Sequence, residues 1–237
     1  MSVWTFGLDP GSERLKRKLG TKESRMPSGA LITFGLNICS AFVALLTSYY
    51  AYRSNRLFRS PILGSIDVGF MLLGIGLAVD AGTSLVSGRL LVEVPAGRAL
   101  TLYASFSYLA IQMVAYLVVA VSYARAAYGS RATAVPVVLA GAAALGLYRF
   151  SLLSYFVSLL LLAFIVFQGA LIRSGGKSRF SAMVLLGFGL ILAAHMVLLV
   201  SVLVLGDMLF VIGTGIQFLG FVSLLAFVVR SEVVGPR

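Results

Sequence analysis

The chain has 237 residues, of which 59% are hydrophobic and 11% charged, and its formal net charge is +11. Soluble domains carry about a quarter charged residues, and a chain this short has too much surface for its volume to hide its apolar side chains from water. The composition therefore excludes an ordinary water-soluble domain and points to a lipid bilayer as solvent. The basic residues fall in the gaps between apolar runs, as loops facing anionic headgroups require, so no nucleic-acid partner is expected.

In chain order, residues 1–28 read as a polar, basic N-terminal tail. Within it, Leu15 and Leu19 lie one turn apart among Arg14, Lys16, Arg17, Lys18 and Lys22, a pattern that fits either a short surface helix or a disordered tail. The first long apolar run, Ala30 to Tyr52, exceeds the roughly 7–15 residues of a signal-peptide core and reads as a membrane span. Further spans are expected, giving seven in all: 29–52, 65–88, 99–123, 132–148, 151–172, 181–205 and 208–229. In hydrocarbon every backbone polar group must be paired internally, and runs apolar on every face satisfy this as helices, not as a barrel. The expected fold is thus an all-α integral membrane bundle of seven transmembrane helices. The fourth span is short, rich in Ala and Gly and bracketed by Arg131 and Arg149, which suits a close-packed linker helix.

Loop charge orients the bundle. Arg53, Arg56, Arg59, Arg125, Arg131, Arg173, Lys177, Arg179, Arg230 and Arg237 follow the odd-numbered spans, against Glu232 alone. The positive-inside rule puts that side in the cytoplasm, with the N-terminus outside and the C-terminus inside a multi-pass cell-membrane protein. The six basic residues of the N-terminal tail argue the other way.

The chain also echoes itself. Arg53-Ser54 returns as Arg173-Ser174, Leu72-Leu73-Gly74-Ile75-Gly76-Leu77 as Leu185-Leu186-Gly187-Phe188-Gly189-Leu190, and Ile111-Gln112 as Ile216-Gln217, in the same order. Two parallel three-helix repeats, 29–125 and 150–230, joined by a linker helix in 126–149 and followed by a tail at 231–237, account for all three matches. An odd linker span keeps the triplets in one orientation, and parallel repeats form a transporter plan with the site between the halves. The three-plus-one-plus-three arrangement resembles the SWEET and PQ-loop transporters, and the helix number and chain length resemble the microbial opsins. The Pro-Gln dipeptide of the former and the last-helix lysine that would bind retinal in the latter are absent, so no site residue carries over.

Polar residues inside the spans are the candidate site. Asp80 lies in the second span, where a charge is costly and by default faces the protein interior. Asn37, Gln112, His195 and Gln217 lie at comparable depths when counted from the closing arginines at about 1.5 Å per residue, and Tyr108 and Thr214 belong to the polar stripes of the third and seventh spans. Together with Asp80, these residues are expected to converge on one intramembrane polar site, with Asp80 in reach of Gln112, Gln217 or His195. Their bland role is interhelical hydrogen bonding, and that of the two Gly-x-Gly motifs is close helix packing. One His and one Cys make neither a bis-histidine haem site nor a thiolate cluster, so no cofactor or metal is expected. Asp67 and Asp80, about 1300° apart around one helix, are expected on different sides and make a poor aspartyl dyad, so no catalytic residue is assigned.

Two functions fit. One is a small-solute or proton-coupled carrier or channel with its site between the repeats, using Asp80 and His195. The other is a non-catalytic scaffold, sensor bundle or anchor subunit that joins copies of itself or other membrane subunits. A continuous polar cavity marks the first and a dry core the second.

Overall fold

A computed structural model describes residues 28–90, 95–128, 151–174, 182–204 and 206–234. Among them are six helices: α1 (Ser28–Phe58), α2 (Pro61–Leu90), α3 (Pro95–Tyr128), α4 (Ser151–Ser174), α5 (Ala182–Val204) and α6 (Asp207–Val234). All six are long and apolar enough to cross a membrane, so the chain is a polytopic, all-α membrane protein. Where seven spans were expected, the described residues hold six. The fourth span, 132–148, and residues 1–27, where either a surface helix or a disordered tail was expected, lie outside them.

Local chemistry sets the helix ends. Arg59 takes a left-handed conformation (φ 47°) and donates its amide to the Asn55 carbonyl at 2.7 Å, which closes α1. Pro61 then starts α2 at the one position where a missing N–H is harmless. At the far end of the chain, the Gly206 amide reaches the Ser201 carbonyl at 3.1 Å, and Asp207 sits in the first turn of α6, where a negative charge meets the positive end of the helix dipole.

Contacts between side chains give the helix directions. Asn37 meets Asp80 and Ser48 meets Asp67, so α1 and α2 are antiparallel. Gly69 lies against Ala115 and Val119, and Gly76 against Tyr108 and Ile111, so α2 and α3 are antiparallel too. Tyr108 is near Tyr155, and Tyr123 is near Gly169, which makes α3 and α4 parallel. Gly169 then meets Leu185, near the start of α5, and Gly187 meets Leu224 while Gly213 meets Leu198. Hence α1, α3, α4 and α6 run one way and α2 and α5 the other. The chain leaves α3 at one end of the bundle and enters α4 at the opposite end.

Each helix packs on its neighbour in sequence, and α6 returns to α1, closing a ring of six. Leu31, Phe42, Tyr49, Phe167, Leu186 and Met208 are exposed on the outside, as lipid permits. Arg53, Arg56, Arg59, Arg125, Arg173 and Arg230 all lie toward one end of the ring, the end at which α1, α3, α4 and α6 finish. In the half of the ring nearer that end, the axis is filled by rings. Phe70 meets Phe221 edge-on at 5.6 Å and Phe188 at 6.4 Å, and Tyr123 meets Phe188 at 6.1 Å. All four are fully buried.

Glycines let the helices approach closely, because without a hydrophobic drive between helices in lipid the attraction comes from backbone-level packing. A Cβ on Gly220 would lie 2.6 Å from Ile191 and 3.0 Å from the Gly187 carbonyl, and one on Gly74 would lie 2.7 Å from Leu45. The two Gly-x-Gly motifs pack differently. Gly74 faces α1 and Gly76 faces α3, whereas Gly187 faces α6 and Gly189 meets nothing within 4 Å. A rotation relating the two triplets would carry α1 onto α4, so the matching letters do not make matching contacts. Each small residue instead serves whichever helix comes closest. Gly220→Val is therefore expected to lower thermal stability in detergent by about 1–3 kcal/mol through overpacking, and Gly189→Ala to leave it unchanged, as read by the unfolding midpoint of the purified protein.

Candidate functional site

Opposite the basic end, the axis of the ring is not filled. A partly enclosed cavity of about 230 Å³ is lined by Asn37 from α1, Asp80 from α2, Tyr108, Leu109 and Gln112 from α3, Tyr155 from α4, Leu198 from α5, and Phe210, Thr214 and Gln217 from α6. All six helices contribute, which is what a closed ring imposes on inward-facing side chains. Counted at about 1.5 Å per residue, Asn37 and Thr214 lie roughly 10–14 Å inside the ends of their helices, so the cavity occupies one half of the bundle thickness.

Six of the seven residues picked from the sequence line this cavity: Asn37, Asp80, Tyr108, Gln112, Thr214 and Gln217. The seventh, His195, is fully buried behind Gln112. The α2 helix delivers Asp80 to the axis because Gly76, one turn earlier, presses against Tyr108 and Ile111 of α3. The Asp80 carboxylate accepts a hydrogen bond from Asn37 Nδ2 at 3.3 Å, not from the Gln pair or the imidazole expected from the sequence. Asn37 is on the adjacent antiparallel helix at the same depth, whereas Gln112 is already engaged. Asp67 corrects a second expectation. It accepts from Ser48 Oγ at 2.8 Å, so both acids reach α1. Side chains on either flank of the α1-facing stripe can do this, and about 20 Å of helix still separates the two carboxylates.

The floor of the cavity is a fixed network. His195 Nδ1 lies 2.8 Å from the Ile191 carbonyl. A carbonyl only accepts, so Nδ1 carries the proton and Nε2 of the neutral ring offers a lone pair. Gln112 Nε2 donates to that lone pair, and it also donates to the Tyr116 hydroxyl at 3.3 Å. This fixes the amide orientation and leaves Gln112 Oε1 buried with no partner. Tyr108, one turn before Gln112 on α3, lies within electrostatic range of Asp80 and Tyr155, and across the cavity Gln217 Nε2 of α6 is buried without a partner. Thr214 Oγ1 donates to the Phe210 carbonyl at 2.9 Å. Buried polar groups left unpaired are rare in folded proteins, and here two belong to residues that line one cavity.

Tyr155, Phe210, Leu109 and Leu198 were not among the residues expected from the sequence. Tyr155 carried a usable signal, a tyrosine at the depth of Tyr108 on a parallel span. The other three are apolar and indistinguishable by letter from lipid-facing neighbours. Among the described residues no cluster of His, Cys, Asp and Glu is arranged to hold a metal ion. Comparison of the chain with known protein families, with curated proteins and with solved structures returns no match.

Gln112 and His195 are expected to couple. Gln112→Leu strands the buried imidazole acceptor and should cost about 1–3 kcal/mol. His195→Leu strands the amide donor and should cost a similar amount, and the double variant should lose clearly less than the two combined. A double-mutant cycle on unfolding midpoints in detergent measures this, and strict additivity would break the network as drawn.

Proposed function

We propose that the chain is a membrane carrier for a small solute, held with its binding cavity toward one face and the opposite half closed. The observation that supports this is the division of the ring. Polar side chains from five of the six helices surround a cavity in one half, while Phe70, Tyr123, Phe188 and Phe221 fill the axis in the other. A cavity of about 230 Å³ is below the roughly 300–1,000 Å³ of sites for drug-sized ligands, so the solute is small. A scaffold has no need to desolvate amides around an unfilled space, and an open channel has no need of a sealed half.

The carrier reading includes two parallel triplets, α1–α3 and α4–α6, with the segment 129–150 recrossing the bilayer between them. The parallel α3 and α4 support it, since the chain has to return from one end of the bundle to the other between Tyr128 and Ser151. As a helix, that segment would be about 33 Å long, close to the roughly 30 Å of a hydrocarbon core. The basic end faces the cytoplasm by the positive-inside rule, which directs the cavity outward and leaves the N-terminus outside.

Thiol labelling in intact cells tests the reading on a Cys39→Ala background. An impermeant maleimide should modify Thr214→Cys and Tyr155→Cys on facing walls of the cavity, and should leave Phe221→Cys unmodified. Arg56→Cys should react only after permeabilisation. Inert cysteines at both cavity positions, with and without permeabilisation, would mean a dry core and would replace the carrier with the scaffold. A reactive Arg56→Cys in intact cells would reverse the orientation and turn the cavity inward.

A further inference from the structure

We propose that the solute is a small organic monocation with a primary ammonium head, anchored by Asp80 and enclosed by the rings of Tyr108, Tyr155 and Phe210. This deepens the carrier reading and rests on it. The groups that the cavity offers a ligand select this chemistry. Among the described residues its lining contains one carboxyl and no Lys, Arg or His, so an anionic solute would meet an uncompensated carboxyl there.

The neutral groups are mostly committed in one direction. Asn37 gives a proton to Asp80, and Thr214 gives its own to the Phe210 carbonyl. Gln112 spends its donors on His195 and Tyr116. What the lining turns toward a ligand includes the Asp80 carboxylate and the hydroxyl oxygen of Thr214, both acceptors, with the hydroxyls of Tyr108 and Tyr155, which accept as well as donate. Gln112 Oε1 and Gln217 Nε2 are enclosed by protein. A carboxylate beside further acceptors suits a group with several donors and no acceptor. An alkylammonium has three N–H donors and nothing to accept with.

The remaining walls distinguish an organic cation from a metal ion. Tyr108, Tyr155 and Phe210 add three aromatic rings to the lining that holds the carboxyl, and Tyr108 and Tyr155 lie within electrostatic range of Asp80. Aromatic faces attract ammonium groups through the ring quadrupole. Leu109 and Leu198 complete an apolar wall that an alkyl stem covers and a bare ion does not. The volume, room for on the order of eight waters, fits a head with a short chain.

The test uses the full chain in lipid nanodiscs and three probes of one size and shape: butylammonium, butanol and butyrate, with sodium chloride as the inorganic control. A ligand that binds the folded state raises the unfolding midpoint by mass action. Butylammonium should raise it saturably, and the other probes and sodium should not. Asp80→Asn keeps a side chain that can still pair with Asn37, and should weaken butylammonium binding roughly tenfold to hundredfold. Tyr155→Leu, which leaves the carboxyl in place, should weaken it several-fold. Equal shifts from butanol and butylammonium, a shift from sodium that matches them, no saturable shift from butylammonium, or an undiminished response in Asp80→Asn would each overturn the assignment. If the cavity cysteines are nevertheless labelled, the carrier reading survives and only the ammonium is lost. If they are inert, both fall together.

Discussion

A carboxyl inside a lipid-solvated bundle has one tolerable position, the interior, and the arrangement of the ring follows from placing Asp80 there. The group needs a hydrogen-bond donor at its own depth, and Asn37 supplies it from the antiparallel neighbour. Bringing α2 near enough to α3 to aim the carboxyl at the axis needs a helix face without bulk, and Gly69 and Gly76 provide that face. Once one charge is committed to the axis, the other polar side chains at that depth gain by joining it, because each would otherwise be unpaired against hydrocarbon. The outer faces are then free to be apolar throughout, which is why the composition looks so unlike that of a soluble protein.

The two halves of the axis answer different requirements. Toward the basic end, aromatic rings pack edge to face and exclude water, which is the densest way to fill a ring of six helices. Toward the other end, the side chains are amides, hydroxyls and a carboxyl, and they do not fill the space. The boundary is the His195, Gln112 and Tyr116 network. Tyr116 faces both ways, with its hydroxyl on Gln112 and its ring against the imidazole at 5.4 Å. The network ties α3 to α5 at this depth and separates the polar cavity from the plug.

Much of this was legible in the letters, for uneven reasons. Six spans were readable because an unbroken run of about 20 apolar residues matches the thickness of a hydrocarbon core. The helices nevertheless outrun the expected ends; α3, for example, reaches Tyr128 where the apolar run stops at 123. Asn37, Asp80, Tyr108, Gln112, Thr214 and Gln217 were readable because polar letters in a hydrophobic run are conspicuous and depth can be counted from the arginines. Their partners were not. That Asp80 takes Asn37 and that Gln112 takes His195 depends on which helices are neighbours, and a ring order of six is not a one-dimensional property. The Gly-x-Gly echo misled for the same reason. Gly74 and Gly187 match in sequence, yet one faces α1 and the other α6, so a motif that reports closeness does not report to what.

Those glycines also divide the ring mechanically. Close backbone approach joins α1 to α2 through Gly74, α2 to α3 through Gly69 and Gly76, and α5 to α6 through Gly187, Gly213 and Gly220. Among the described residues, no glycine draws α6 onto α1, and at the seam between α3 and α4 Gly169 touches only the ring edge of Tyr123. The α4–α5 seam likewise lacks close backbone approach, since Gly169 meets only the Leu185 side chain there. The two seams between parallel helices separate α1–α3 from α4–α6, the division that the proposed carrier uses. The aromatic plug straddles it, with Phe70 and Tyr123 on one side and Phe188 and Phe221 on the other. The cavity straddles it too, with Asp80 facing Tyr155 and Gln217 across the gap. In the proposed carrier, any rotation of one triplet against the other would have to carry the Gln112–His195 bond with it, because that bond also crosses the division, from α3 to α5.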